Sequence, residues 1–269
     1  MSDEIKRKYD LSSMISFTSC GAPCAPAIKK GVNEVFMQQG CKRPVFCEYC
    51  DAVETMHPSI MLIPDDYIEK PERIESVGKP RCCKARIVDP ETGEVCPANK
   101  DGILYQRTMG VFQGWVPETT KEIADNAMSV IDGETYINTG LIAHMDEDGY
   151  VYLTGRKKEM IITGGVNVYP NEGELCIIGN PKVADVAIIP IPDEDLGEVM
   201  CAVVELKEGE KATEEEIIDW CKKSGLYGYR LPKKVDFWKK LPRDPDGKML
   251  KAREIMPKYW EEKGIKRGG

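Results

Sequence analysis

Residues 155–170 read GRKKEMIITGGVNVYP, and the chain changes character across them. The basic run Arg156 to Lys158 enters an apolar stretch at Ile161, and a Gly-Gly turn at Gly164 and Gly165 follows. Glycine suits such a turn because it lacks a Cβ, accepts left-handed backbone angles and lets a ligand approach closely. The segment reads either as a hairpin with basic residues in solvent or as a turn that binds a phosphate or a ribose. Residue types alone leave both open.

After this stretch, strands and helices alternate. The apolar runs VADVAIIPI (183–191) and VMCAVVEL (199–206) predict strands. Thr213-Glu-Glu-Glu216 matches a capping box, in which the Thr hydroxyl and the Glu carboxylate satisfy orphan helix amides. The helix it opens carries Ile217, Ile218 and Cys221 on an apolar side. This is an α+β unit of about 110 residues, an ordinary size for a small domain.

Before the stretch, the texture is different. Met14–Thr18 and Pro44–Cys47 predict short strands, and Ala25–Phe36 carries apolar residues at helical spacing. From about Val77 to Thr154, short β segments are split by turns, as in CKARIVDPETGEVCP (83–97). Asp148-Gly149 suits a tight hairpin. That region predicts a small β-barrel or sandwich, interrupted by a helix from about Thr119 to Ala127. The expected division is residues 1–157 and 158–269, an α/β plus α+β architecture.

Composition excludes several classes. The net charge of −8 disfavours a nucleic-acid partner, which needs a basic footprint. No apolar run is long enough for a membrane span, and MSDEIKRKYDLSS lacks the apolar core of a secretory signal. Eleven cysteines without an export signal fit a reducing, cytoplasmic setting.

Lys248 lies in LPRDPDGKML (241–250), where Pro245 and Gly247 favour a tight turn. A lysine fixed there can neutralise charge that develops in phosphoryl transfer. By composition alone the default is a solvated lysine after a loop.

Together the segments are specific. TGL (139–141), DEDGYVYLTGRKKEMIITGGVNVYP (146–170), PIPDEDLGEV (190–199) and LPRDPDGKML resemble the adenylate-forming, AMP-binding superfamily of acyl-CoA synthetases. KYDLSSM, SCGAP, VGKP, KARIVDPETGE and GILYQRTMGVFQGW resemble that family's blocks in its order, so the likeness covers essentially the whole chain. It implies the last part of a large N-terminal domain (an α/β segment and small β-barrel), then a small swivelling C-terminal α+β domain.

The implied reaction joins a carboxylic acid to ATP with Mg²⁺, releases pyrophosphate, and passes the acyl group from AMP to CoA. By resemblance, Gly21, Ala22 and Pro23 form the adenine loop, Glu54 stands near Mg²⁺, and Arg156 contacts the ribose. Lys158 is the hinge residue, Gly164 and Gly165 line the CoA path, and Lys248 is the catalytic lysine.

Three departures stand out. No Ser/Thr/Gly-rich phosphate loop occurs between Met1 and Gly269, so the ATP β- and γ-phosphates lack a cradle, and a partner chain is one possible source. The family's Thr-Gly-Asp reads Thr139-Gly140-Leu141, and leucine accepts no bond from ribose hydroxyls. The family's Tyr-Gly-x-Thr-Glu reads Cys50-Asp51-Ala52-Val53-Glu54. The alternative is therefore a non-adenylating binding protein or degenerate homologue. It would hold a metal through Cys20, Cys24, Cys47 and Cys50, since soft thiolates at Cys-x2-Cys spacing suit a tetrahedral ion.

Overall fold

The computed structural model describes residues 9–21, 24–55, 59–110, 127–245 and 247–261. The chain divides into two compact units, Met1–Thr154 and Gly155–Gly269.

The first unit holds two sheets. In one, β1 (Phe17–Ser19) pairs in parallel with β2 (Phe46–Cys50), after helix α1 (Pro26–Gln38) has crossed between them. The sheet continues antiparallel through β3 (Ile60–Leu62) and, past the short helix α2 (Asp66–Glu69), β4 (Lys79–Pro80). The second sheet contains β5 (Lys84–Val88), β6 (Gly102–Arg107), β7 (Met128–Ile131), β8 (Glu134–Met145) and β9 (Val151–Arg156). It is antiparallel in the order β5-β6-β8-β7, with β9 also on β8. The small barrel expected there is an open half-barrel: β8 is long enough for β7 and β9 to share it, and no pairing among the described residues closes β5 onto them. The expected helix at 119–127 lies almost wholly outside the described residues.

Cys50 and Ile60 of the first sheet bury against Ile87, Leu104, Ala143 and Val151 of the second, so one core joins the two sheets. Gly78, in the VGKP block, lets the chain entering β4 lie close against its neighbour β3 in the first sheet. Its φ is +96°, and a Cβ there would fall 1.9 Å from the Met61 backbone.

The second unit is built on β10 (Ile161–Thr163), β11 (Val166–Val168), β12 (Val183–Asp193), β13 (Gly197–Leu206) and β14 (Lys234–Phe237). The sheet order is β11-β10-β13-β12, with β14 parallel to β13. Helices α3 (Pro170–Ile178) and α4 (Glu214–Lys223) cover one face, burying Ile177, Ile217 and Cys221 against Val186, Ile188 and Ala202. The other face buries Ala187, Ile189, Cys201 and Val203 against Leu241 and Ile255, near helix α5 (Met256–Trp260). Alternate residues of β12 and β13 thus face two cores, which is why both strands read as mostly apolar rather than alternating runs. The capping box is formed at α4: Thr213 Oγ1 accepts the Glu216 amide at 3.3 Å, and Glu216 Oε2 accepts the Thr213 amide at 3.4 Å.

Candidate functional site

Because β1 and β2 are parallel, the chain leaves both at the same edge of their sheet. Carboxyl ends of parallel strands are where α/β sheets commonly receive ligands. Gly21 follows β1, exposed and with φ +89°, as a turn over the strand end requires. Ala22 and Pro23 lie outside the described residues. Glu54 sits in the single 3₁₀ turn Val53–Thr55 beyond β2, partly exposed. The threonine that matters locally is Thr55, which is fully buried and folds this turn: its hydroxyl donates to the Ala52 carbonyl at 2.8 Å. Thr108, beyond β6, donates to the Thr55 carbonyl at 2.8 Å and ties the turn to the second sheet.

Sequence reasoning passed over the residue that organises this edge, Glu48. One carboxylate oxygen accepts the Cys24 amide at 2.7 Å, fastening the loop after β1 to β2. The carboxylate also forms an ion pair with Lys29 of α1, and both side chains are 1% exposed. The Lys29 ammonium donates further to the carbonyls of Ile74 and Ser76, each at 2.9 Å. Burial pushes the Glu48 carboxyl upward, against the pull of Lys29. The only sequence signal was a lysine and an asparagine, Lys29 and Asn33, on the helix face that turns out to be buried.

Leu141 lies in β8 where the ladder with β6 slips: Ile103 pairs with Ile142, but Tyr105 pairs with Asn138. The extra β8 residues form a bulge, a device that re-aims a side chain. Gly140 takes φ +67° there, and Thr139 Oγ1 donates to the Leu104 carbonyl at 2.7 Å. Leu141, half-buried, packs against the core of the first unit. This position therefore does not fit a ribose, because an apolar side chain offers the hydroxyls no acceptor. Glu54 does fit Mg²⁺, which usually takes one or two protein carboxylates and completes its shell with water and phosphate.

Arg156 ends β9, whose last two residues belong to the second unit, and is exposed and without an ion pair among the described residues. Lys158 lies in the 3₁₀ turn Lys157–Glu159. Gly164 and Gly165 form the turn between β10 and β11, with φ +55° and +82°. The Gly164 amide is held by the Leu196 carbonyl at 2.8 Å, whereas nothing among the described residues lies within 4 Å of a Cβ built on Gly165. That open surface fits the close passage of a slender chain such as pantetheine. Lys248 is exposed on a turn closed by Asp244, whose backbone amide donates to the Lys248 carbonyl at 3.0 Å and whose side chain accepts the Lys248 amide at 2.7 Å. No carboxylate pairs with its ammonium among the described residues.

The four-cysteine metal site is not formed. Cys47 and Cys50 lie within β2 rather than in a turn, so their spacing of three points them to opposite faces of the sheet. Cys47 and Cys50 are buried while Cys20 is exposed. Among the described residues no group of three or more His, Cys, Asp or Glu could hold a metal. No helix among them is long and apolar enough to cross a membrane.

The family model for AMP-binding enzymes matches residues 1–116, and that for the AMP-binding enzyme C-terminal domain matches residues 172–248. Over 250 residues the chain is 30% identical to peroxisomal OPC-8:0-CoA ligase 1 of Arabidopsis thaliana, covering 93% of this chain and 43% of that protein. It is 32% identical over 256 residues to the mitochondrial medium-chain acyl-CoA ligase ACSF2 of Mus musculus, covering 93% of this chain and 39% of that protein. Among solved structures, the amide bond synthetase McbA from Marinactinospora thermotolerans aligns with TM-score 0.79 and 26% identity, over 92% of this chain and 48% of that one. The o-succinylbenzoate CoA synthetase MenE from Bacillus subtilis, solved with its acyl-adenylate, aligns with TM-score 0.73 and 25% identity, over 88% and 45%. The chain thus spans about two fifths of the length of the curated relatives it matches. Both family models and the shared fold agree with the motif order, and the chain belongs to the adenylate-forming, AMP-binding superfamily.

Proposed function

We propose that this chain supplies the end of the large domain and the whole mobile domain of an AMP-forming acid–CoA ligase. Residues 1–157 would close the nucleotide site and residues 158–269 would swivel about Lys158. The observation that carries this reading is Lys248, an exposed lysine without a described carboxylate partner on a turn whose backbone is locked by Asp244. A cation fixed in that way is preorganised for charge developing at phosphorus, and owes nothing to a resident anion.

ATP would supply the activated phosphorus and Mg²⁺ its charge neutralisation, with Glu54 as the carboxylate available to the metal. Gly21 and its neighbours would border the adenine, and Arg156 would approach the ribose. Gly164 and Gly165 would then let the thiol of CoA reach the acyl carbon. The phosphate loop would come from a partner chain or from elsewhere in a longer protein, and the chain alone would not adenylate. A cytoplasmic, soluble setting is part of the same proposal.

Leu141 favours a second reading. A ribose position filled by a side chain packed on the core suits a non-adenylating binding protein or degenerate homologue. ATP–pyrophosphate exchange with a panel of carboxylic acids separates the two. The ligase reading expects exchange once a family segment carrying the phosphate loop is added, and its loss in Lys248→Ala. No exchange under any combination sinks it in favour of the binder.

A further inference from the structure

One partly buried ammonium joins the elements on which the second unit's proposed work depends. Lys251 opens the π-helical turn Lys251–Ile255, immediately beyond the segment that presents Lys248. Its side chain is 17% exposed, and its Nζ lies 3.0 Å from Glu159 Oε2 and 2.7 Å from Glu174 Oε1. Glu159 closes the 3₁₀ turn that contains Lys158. Glu174 belongs to α3, which follows directly on β11, the second arm of the Gly164–Gly165 hairpin. Glu174 is itself fixed, because its Oε1 accepts the Ile188 amide of β12 at 2.6 Å.

The Lys248 turn therefore has two feet. On one side Arg243 pairs with Asp185 through two bonds of 2.8 Å, but that guanidinium is 43% exposed and screened by water. On the other side is the Lys251 clamp, whose ammonium and Glu174 carboxylate are mostly shielded from solvent while its Glu159 arm is half-exposed; removing Lys251 strands the charge of Glu174. The shielded Lys251–Glu174 contact is the stiffer one, and the same ammonium also reaches Glu159 in the turn that carries Lys158.

We propose that Lys251 is a positioning residue: it clamps the Lys248 turn to the Lys158 turn and to α3, so that all three move as one rigid piece. This rests on the reading of Lys248 as the adenylating lysine. Catalysis by a preplaced cation is sensitive to displacements of about an ångström, so loosening the clamp lowers turnover more than binding.

The test uses the full chain, supplied with a family segment carrying the phosphate loop, in Lys251→Met, Lys251→Arg and Glu159→Gln forms. Two quantities are read: pyrophosphate exchange, resolved into kcat and KM for ATP, and amide hydrogen exchange over residues 244–250. Lys251→Met is expected to lower kcat about tenfold or more with KM changed by less than about twofold. Amides over 244–250 should lose protection while those of β12 and β13 keep theirs, and thioester formation from presynthesised acyl-AMP should persist. Lys251→Arg, which keeps the cation, should restore most of the rate. Glu159→Gln, at a half-exposed position, should give a weaker form of the same defect, and it decides the matter if Lys251→Met fails to fold. The proposal is overturned if 244–250 stay protected in both variants, if protection falls evenly across the unit, or if arginine restores nothing. Failure of the underlying reading looks different: Lys248→Ala would leave pyrophosphate exchange intact while Lys251→Met still loosened the turn.

Discussion

Lys29 and Glu48 form an ion pair sealed inside the first unit, joining α1 to β2, and Glu48 also accepts the amide of Cys24 before α1. Each ion has further partners, two carbonyls for the ammonium and the Cys24 amide for the carboxylate, which oppose the desolvation in part, though for Glu48 burial still dominates. The arrangement fixes the loop after β1 through a residue that touches its backbone rather than any ligand.

Lys29→Met is therefore expected to destabilise the first unit by about 3–5 kcal/mol near neutral pH, because it leaves a buried carboxylate without its counter-charge. Burial already raises the Glu48 carboxyl and Lys29 opposes that rise, so the variant should raise it further. A carboxyl whose folded pKa exceeds its unfolded value makes the folded state bind more protons, and stability falls as pH climbs through the folded value. Urea titrations should show a smaller loss at pH 5 than at pH 8. An equal loss at both would mean that Glu48 is not the group left stranded.

Gly78→Ala tests the close fit of the β4 entry against β3. The substitution brings a Cβ to 1.9 Å from the Met61 backbone at a φ of +96°, so relief requires backbone movement on both sides. A loss of about 3 kcal/mol or more is expected from thermal or urea unfolding. A loss near that of a surface change, within about 0.5 kcal/mol, would show that the chain at Gly78 can shift away from β3 freely.

What could be read from the sequence was mostly local. The capping box at Thr213 needs only its own turn, and the α4 helix begins where it predicts. The runs at 183–191 and 199–206 are apolar except at Asp185 and Glu205 because two cores flank them, and that too survives without tertiary information. Cys47-x2-Cys50 misled because its spacing suits a metal turn equally well, and only the strand pairing of β2 reveals that the thiols diverge. The bulge at Thr139–Leu141 was invisible, since it is a register slip between β6 and β8 rather than a residue pattern. Lys29 and Asn33 lie on a helix face that amphipathic reasoning would assign to apolar residues, while Ile28 beside them is 51% exposed. A long-range polar pair of this kind leaves almost no sequence trace.

Leu141→Asp tests the nucleotide position. The wild-type chain is expected to bind AMP and ATP weakly, and the carboxylate should restore an acceptor for ribose hydroxyls. Charge-assisted bonds contribute roughly 1.5–3 kcal/mol each, so calorimetry should register a gain of about tenfold or more in AMP affinity. Because Leu141 packs on the core, some stability must be given up, about 1–3 kcal/mol for placing a polar group there. Tight ATP binding by the unmodified chain, or no gain in a folded Leu141→Asp variant, would sink the assignment of this position.

The last prediction divides the two half-reactions between Lys248 and Gly165, with the phosphate loop supplied by an added segment. Lys248 is proposed to act only in the adenylating orientation, where its charge offsets that building at phosphorus. Lys248→Ala should abolish pyrophosphate exchange while thioester formation from presynthesised acyl-AMP remains largely intact. Gly165 is proposed to act only after rotation, when its bare backbone borders the thiol path. Gly165→Leu should therefore spare exchange and block the thioester step. Leucine at φ +82° also carries backbone strain of about 1–2 kcal/mol, which confuses steric obstruction with local distortion. Gly165→Ala shares that strain and adds almost no bulk, so it serves as the control. Obstruction predicts a severe thioester defect in Leu and a mild one in Ala, whereas distortion predicts similar defects in both. Opposite defects in Lys248→Ala and Gly165→Leu, with Ala near wild type, are the outcome expected of a domain that presents one face and then the other. If both variants lose the same half-reaction, the swivelling assignment fails, and the binding-protein reading that Leu141 favours takes its place.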